Sequence, residues 1–240
     1  MGKKLRVQRR GRGTPTFKAR KVGKIAPAKY PLEDNVTGVV KDLMHEPGRG
    51  TPLAYISLDS GSGYYAVATE GMYINQPISI GAEAPLKIGN VRPVGLIPVG
   101  TMVSNLEFKP GDGGRVAKSS GSFAMVVTHG AKGTVIKLPS KRNITIGSNC
   151  RATIGIISSG GRREKPFLKA GEKSKMKKAK GQIYPTTKGI KMTAASHPHG
   201  GGRHRRPGSS TTVSRHAPPG AKVGLIAARN SGKRKRLRRS

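Results

Sequence analysis

The stretch Phe123-Ala124-Met125-Val126-Val127-Thr128-His129-Gly130-Ala131-Lys132-Gly133-Thr134-Val135-Ile136-Lys137-Leu138 decides the fold class. Two short runs rich in Val, Ile and Thr flank His129 to Gly133, which reads as a hairpin loop. Runs of the same kind lie on both sides. Upstream they are Val36 to Lys41, Leu53 to Leu58, Tyr64 to Thr69 and Ile97 to Phe108; downstream they are Ile144 to Ile146 and Arg151 to Ile157. Gly, Pro, Asp and Ser clusters separate them, and no long helical periodicity intervenes. Short strands with turns between them predict small antiparallel barrels or sandwiches, not a parallel α/β sheet. The expected division is one barrel over Pro31 to Pro85 and a second over Leu86 to Gly160. A single sandwich is the alternative, and internal repetition is too weak to decide.

Charge separates this middle from the ends. The chain has 240 residues and a formal net charge of +35, from 46 Lys and Arg against 11 acidic residues. Residues 1–30 hold 11 basic residues and no acid; residues 31–140 hold 9 of each; residues 141–240 hold 26 basic and 2 acidic residues. Such an excess repels itself and implies an anionic partner. No apolar run approaches the length of a membrane span, and residues 1–30 lack the hydrophobic core of a signal peptide. Gly and Pro break the basic segments, which argues against an amphipathic membrane helix. Nucleic acid remains, with no membrane. Cys150 is the only cysteine, so an intrachain disulfide is impossible and a reducing cytosol suits the chain. It reads as a small half-buried residue at a strand end.

From Ser158 onward the strand pattern stops. One short basic helix is expected between Lys165 and Lys180, with Phe167, Leu168 and Met176 available for docking. Otherwise the tail reads as disordered alone or ordered by a partner. Fully extended, residues 203–240 would reach on the order of 100 Å. The most unusual local sequence is His197-Pro198-His199-Gly200-Gly201-Gly202-Arg203-His204-Arg205-Arg206. Its glycines permit close approach to another backbone, and its arginines supply forked donors for phosphate oxygens. It reads as a loop moulded to RNA, against a flexible basic linker as the bland account.

Sharper chemistry finds little support. His197, His199, His204 and His216 offer four imidazoles for a metal, but Glu172 is the last acidic residue and the surrounding arginines oppose a cation. A general base at His197 would need an orienting carboxylate or carbonyl and a walled pocket. No metal, no cofactor and no catalytic residue is therefore expected; contact with phosphates would raise the proton affinity of an imidazole. Gly111-Asp112-Gly113-Gly114-Arg115 reads as a turn after Pro110, not a nucleotide loop. The run Lys233 to Arg239 could serve nuclear import, but phosphate contact is more economical. With no Trp, 4 Phe and 6 Tyr, mostly inside strand patterns, a free single-strand binder is the weaker reading.

Ordered motifs along the whole chain carry a resemblance. They include Gly11-Arg12-Gly13, His45-Glu46-Pro47-Gly48-Arg49-Gly50-Thr51-Pro52-Leu53-Ala54, Gly89-Asn90-Val91-Arg92-Pro93-Val94-Gly95 and Lys109-Pro110-Gly111-Asp112-Gly113-Gly114. Further on come Lys137-Leu138-Pro139-Ser140, Gly160-Gly161-Arg162-Arg163-Glu164-Lys165-Pro166 and Leu168-Lys169-Ala170-Gly171. Most specific are His197 to Gly202 and Ala217-Pro218-Pro219-Gly220, followed by Val223-Gly224 and Ile226-Ala227-Ala228-Arg229. The chain resembles the universal large-subunit ribosomal protein two (L-two) family, in its archaeal and eukaryotic branch.

The resemblance implies a mostly β fold, an OB-fold followed by an SH3-like barrel, with long basic irregular extensions at both termini. It implies a structural role in the cytoplasmic ribosome near the peptidyl transferase region, supporting subunit association, tRNA binding and peptide bond formation. The implied partners are large-subunit rRNA, neighbouring ribosomal proteins and a small-subunit contact. Expected rRNA-binding residues are Lys3, Lys4, Arg6, Arg9, Arg10 and Arg12 near the start, Arg49 in the first barrel, and Arg162 and Arg163 at the exit. Lys177, Lys178 and Lys180 follow, then His197, Pro198, His199, Gly200, Gly201, Gly202, Arg203, Arg205 and Arg206, and finally Arg215, Lys222, Arg229, Lys233 and Arg234. The family's sensitive histidine falls on His197. Many relatives carry Met-Asn-Pro-Val and an acidic residue before it, whereas this chain has Met192-Thr193-Ala194-Ala195-Ser196, which weakens a charge relay. A diffusible nucleic-acid chaperone and a histidine-dependent transferase or nuclease are the rival readings.

Overall fold

The computed structural model describes residues 2–162, 164–204, 206–208 and 210–228. It divides into a β unit, Lys21–Glu172, and a terminal unit drawn from the two ends of the chain, up to Arg20 and from Lys173 onward.

The β unit is built on ten strands: β1 (Val36–Met44), β2 (Leu53–Leu58), β3 (Gly63–Val67), β4 (Pro77–Ile80), β5 (Val91–Pro93), β6 (Met102–Ser104), β7 (Ala124–Gly130), β8 (Gly133–Lys137), β9 (Asn143–Ile146) and β10 (Arg151–Ile154). They form one continuous sheet in the order β3-β2-β1-β4-β5-β10-β6-β7-β8-β9. All its pairings are antiparallel except β4 with β5, which meet in parallel at Ile80 and Val91. Alternation of period two appears in β2 from Ala54 onward, where Ala54, Ile56 and Leu58 are buried while Tyr55 and Ser57 are half-buried. Strands β1 and β2 approach closely because Gly38 faces Leu58 across the ladder; a Cβ there would stand 2.4 Å from the Ser57 carbonyl oxygen.

Among the described residues two larger hydrophobic cores sit along this sheet, beside a small third cluster of Ala28, Leu53, Val67 and Ile157. The first gathers Tyr30, Val40, Ala54, Ile56, Leu58, Tyr64, Ala66, Ala68, Ile78, Ile80 and Val91. The second gathers Val94, Ile97, Val103, Leu106, Ala124, Val126, Ile136, Ile146, Cys150 and Ala152. The chain passes from one to the other between Val91 and Val94. Where they meet, a buried polar cluster ties distant segments together. Glu107, fully buried, accepts from the Gly113 amide at 3.0 Å, the Arg151 amide at 2.9 Å and Arg151 Nη2 at 3.1 Å. Arg151 Nη1 donates to the Pro31 carbonyl at 2.9 Å and to Asp34 Oδ1 at 3.1 Å. The guanidinium lies 5.5 Å from the centre of the Tyr30 ring, whose hydroxyl donates to the Asn105 carbonyl at 2.7 Å. Burial alone would weaken the charge on Arg151, but the hydrogen bond and charge of Glu107, with Asp34, raise its proton affinity.

Several local expectations change. The hairpin loop shrinks to Ala131 and Lys132, because His129 and Gly130 pair with Thr134 and Gly133. The long run Ile97 to Phe108 yields only β6. Pro98 and Gly100, at φ 86°, turn the chain before it, and Asn105 at φ 47° breaks it afterwards. Strands β4 and β5 carry Pro77 and Pro93, which disguised them as loop. Cys150 is fully buried, not half-buried, and burial pushes its thiol pKa up. The Gly111 to Gly114 segment is the expected turn: Asp112 accepts from the Phe108, Lys109 and Gly114 amides.

A second cluster supports a pH prediction. Glu46, 4% exposed, accepts from Lys24 at 2.9 Å and from Arg49 Nη2 at 2.7 Å. Burial works to raise its pKa, but the hydrogen bonds and charges of Lys24 and Arg49 outweigh that and hold it below its ordinary value. The folded carboxyl thus binds protons less readily than the unfolded one, near pH 4.3. The stability it contributes is present above that value and disappears as pH falls through the lower folded one. Glu46→Gln should cost about 1–3 kcal/mol at pH 7. In urea unfolding, the gap between variant and parent should narrow steadily from pH 5 downward.

Candidate nucleic-acid interface

The terminal unit has little core: Leu5 and Val223 are its buried apolar side chains among the described residues. Its local structure comes from turns and caps. Helix α1 (Arg6–Arg10) is a short turn whose preceding amide, on Leu5, donates to Gln8 Oε1 at 2.7 Å. Helix α2 (Ala170–Ala179) starts later than the expected Lys165, past Pro166, which disfavours helix at the residue before it. The helix ends on Gly181, at φ 65°, with Gln182 N donating to the Lys177 carbonyl and Gly181 N to that of Lys178. Beyond it, β11 (Thr212–Val213) and β12 (Leu225–Ile226) pair in parallel. The described part of the tail therefore folds back on itself, where disorder in the chain alone, or order imposed by a partner, was expected.

The histidine loop is held by backbone. Ser196 and His197 amides donate to the Thr193 carbonyl, Gly200 N to His197 O at 2.8 Å, and Gly201 N to Met192 O at 3.0 Å. Gly200 is required by proximity, since a Cβ there would lie 2.4 Å from the Thr193 carbonyl oxygen. The N-terminal segment joins in: Lys3 N donates to the Ala195 carbonyl at 2.7 Å. The imidazole of His197 rests on Gly189, where a Cβ would meet its Cε1 at 2.2 Å; His199 Cε1 approaches the corresponding position on Gly224 at 3.5 Å. The two rings meet edge to face at 5.1 Å. His197 Nδ1 accepts the His199 amide at 3.0 Å, which puts the proton of the neutral ring on Nε2. Burial, then the neighbouring His199, lowers the pKa of His197. In the chain alone this runs opposite to the rise expected from phosphate contact.

The candidate residues fall into distinct places. Lys3, Lys4, His197 and Pro198 line one cleft of about 340 Å³ with Gln8 and Gly220. Arg9, Arg10, Arg12, Lys178, Lys180, Gly201, Gly202, Arg203, Arg206 and Arg215 are exposed, while Arg6, Lys177, His199, Gly200 and Lys222 are half-buried. Lys177 Nζ donates to Gln182 Oε1 at 2.9 Å. Two candidates belong to the β unit. Arg49 is occupied internally, by Glu46 and the Ala26 carbonyl, whereas exposed Arg162 lies across Gly50 and donates to Ser120 Oγ. Arg163, Arg205, Arg229, Lys233 and Arg234 lie outside the described residues. Sequence reasoning missed Gly189 and Gly224 as supports for the imidazoles, because nothing local in the sequence marks a long-range close approach.

Charge is the dominant property of this unit. Residues 1–20 and 173–240 contain 27 of the cationic residues and no acid; residues 21–172 contain the other 19 and all 11 acids. The ion pairs of Lys24, Arg49, Arg115 and Arg151 lie in the β unit. Among the described residues no group of three His, Cys, Asp or Glu side chains could hold a metal, and no helix is long and apolar enough to cross a membrane.

A mostly β unit joined to a concentrated cationic unit is the build of a polyanion-binding protein. The model of Ribosomal Proteins L2, C-terminal domain, matches residues 87–222. Proteins named "Large ribosomal subunit protein uL2" are similar over nearly the whole length. That of Korarchaeum cryptofilum is 47% identical, covering 98% of each chain. Those of Hyperthermus butylicus and Methanothermobacter thermautotrophicus are 49% and 48% identical, over 98% of this chain and all of theirs. The chain belongs to the ribosomal protein L2 family, of archaeal type.

Proposed function

We propose that this chain is a structural constituent of the large ribosomal subunit, in the cytoplasm, and not an enzyme. It binds large-subunit rRNA near the peptidyl transferase region and supports subunit association, tRNA binding and peptide bond formation. Its neighbours are other ribosomal proteins, with a small-subunit contact at the subunit interface. The carrying observation is the terminal sequence, with 27 cations and no acidic residue of its own. Phosphates are the counter-charges such a surface requires, and each neutralised phosphate releases condensed counterions. In this reading residues 31–85 form an OB-fold-like barrel and 86–160 an SH3-like barrel, between basic extensions 1–30 and 161–240. The two cores support two barrels, but the first core draws in Tyr30 and Val91 from just beyond the first range. The barrels dock by shape. Exposed Lys3, Lys4, Arg9, Arg10, Arg12, Arg162, Lys178, Lys180, Arg203, Arg206 and Arg215 meet phosphates. Gly200 to Gly202 bring backbone amides to the RNA surface.

Filter binding of the full chain tests this. Large-subunit rRNA should be bound in preference to small-subunit rRNA and to duplex DNA of equal length, at physiological salt. Equal affinity for all three would support a diffusible chaperone instead.

A further inference from the structure

The aromatic residues of this chain are few; in the β unit four of them are engaged with one another or the core, while Tyr73, Phe108, Phe123 and Phe167 are exposed. Tyr30 and Tyr64 are buried in the first core, and Tyr55 and Tyr65 lie ring to ring at 5.1 Å. Phe17 and Tyr184 differ. They come from the two terminal segments of the chain, and the terminal unit brings both to the walls of one cleft of about 410 Å³. That volume is ample for a small planar group. Both rings are half-buried, recessed but open to a ligand.

The cleft exists because of Gly181. A Cβ on that residue would stand 2.7 Å from the Phe17 carbonyl oxygen and from backbone atoms of Lys18 and Ala19. The glycine turn after α2 thus lets residues 17–19 lie directly against it. Cations complete the lining: Arg10 comes from α1 and Lys177 from the last turn of α2. Lys173 Nζ stands 5.5 Å from the Tyr184 ring centre, a cation at an aromatic face. Gln182 adds a side-chain amide, whose Oε1 accepts from Lys177 Nζ. Aromatic faces, forked cationic donors and a side-chain amide match the three parts of a nucleotide: a flat base, a phosphate and a base edge. Rings recessed in a cleft cannot reach bases stacked inside a duplex.

We infer that the cleft lined by Phe17 and Tyr184 takes one unpaired nucleotide of an RNA, its base against the aromatic rings and its phosphate at Arg10 and Lys177. The inference rests on the RNA-binding reading above and adds to it a site that reads an unstacked base. Affinity can be measured for the full chain with a short single-stranded RNA carrying 2-aminopurine, and for the same strand paired with its complement. Phe17→Leu and Tyr184→Leu should each weaken single-strand binding about 10-fold and relieve 2-aminopurine quenching, leaving duplex affinity and the salt slope unchanged. Phe17→Tyr and Tyr184→Phe, which keep a ring, should bind like the parent. Arg10→Gln and Lys177→Gln should each lower the salt slope by about one. Single-strand affinity unchanged in the leucine variants would overturn the site. So would an equal loss on the duplex, or ring-keeping variants as weak as the leucine ones. A parent chain that binds neither RNA would defeat the RNA-binding reading itself.

Discussion

Glu107→Gln is expected to destabilise the β unit by about 3–5 kcal/mol, because it strips a buried cation of its buried partner. Neither group has solvent to fall back on: Glu107 is 0% and the Arg151 side chain 7% exposed. The carboxylate also receives the amides of Gly113 and Arg151, so its neutral amide replacement presents a donor where donors already converge. Arg151→Met should cost as much, leaving the Glu107 charge without a cation and the Pro31 carbonyl without its donor. The double variant should be less destabilised than the two losses added, since neither charge is then stranded. Asp34→Asn is the control. Asp34 is 68% exposed, and its pair with Arg151 should be worth no more than about 1 kcal/mol. Midpoints and slopes of urea unfolding, followed by far-ultraviolet circular dichroism, separate these outcomes.

The second large effect concerns salt. If the terminal unit neutralises on the order of 6–10 phosphates, affinity for large-subunit rRNA should fall roughly 10³–10⁵-fold between 50 and 200 mM monovalent salt. The slope should belong to the ends of the chain, because the β unit has 19 cations largely balanced by 11 acids. Arg203→Gln and Arg206→Gln, both exposed, should each lower the slope by about one and weaken all RNA sequences alike. An affinity nearly independent of salt would mean that the cationic ends do not carry the binding.

The strands were legible where runs of Val, Ile, Tyr and Thr lay between turn residues and prolines were absent. Leu53–Leu58 was read to the residue, and β7, β8, β9 and the start of β10 were read to within about two residues, the usual uncertainty at strand ends. The failures share a cause. Ile97 to Phe108 is apolar enough for a strand, but its folding is set by the left-handed residues Gly100 and Asn105, and only the backbone reveals them. Glu107 lay inside that misread run, so its buried pairing across 44 residues with Arg151 could not be anticipated.

The candidate interface was legible in a different way. Charge segregation, which is additive and local, pointed to the ends and to a polyanion. The imidazoles of His197 and His199 seated on Gly189 and Gly224 depend on turns within the C-terminal segment, and the meeting of Phe17 with Tyr184 depends on the two termini folding together. Contacts between residues so far apart leave no periodicity in the sequence. The tail also turned out to have more structure than its composition promised, because Gly181, Gly200 and Gly224 replace a hydrophobic core with close backbone packing.

The central claim, that this chain works as a built-in part of the large ribosomal subunit, is tested most directly by sedimentation. A cell lysate run on a sucrose gradient at moderate salt should show the chain at one fixed stoichiometry in large subunits and whole ribosomes, with almost none at the top. A chain found mainly at the top, or distributed equally with DNA, would contradict the account.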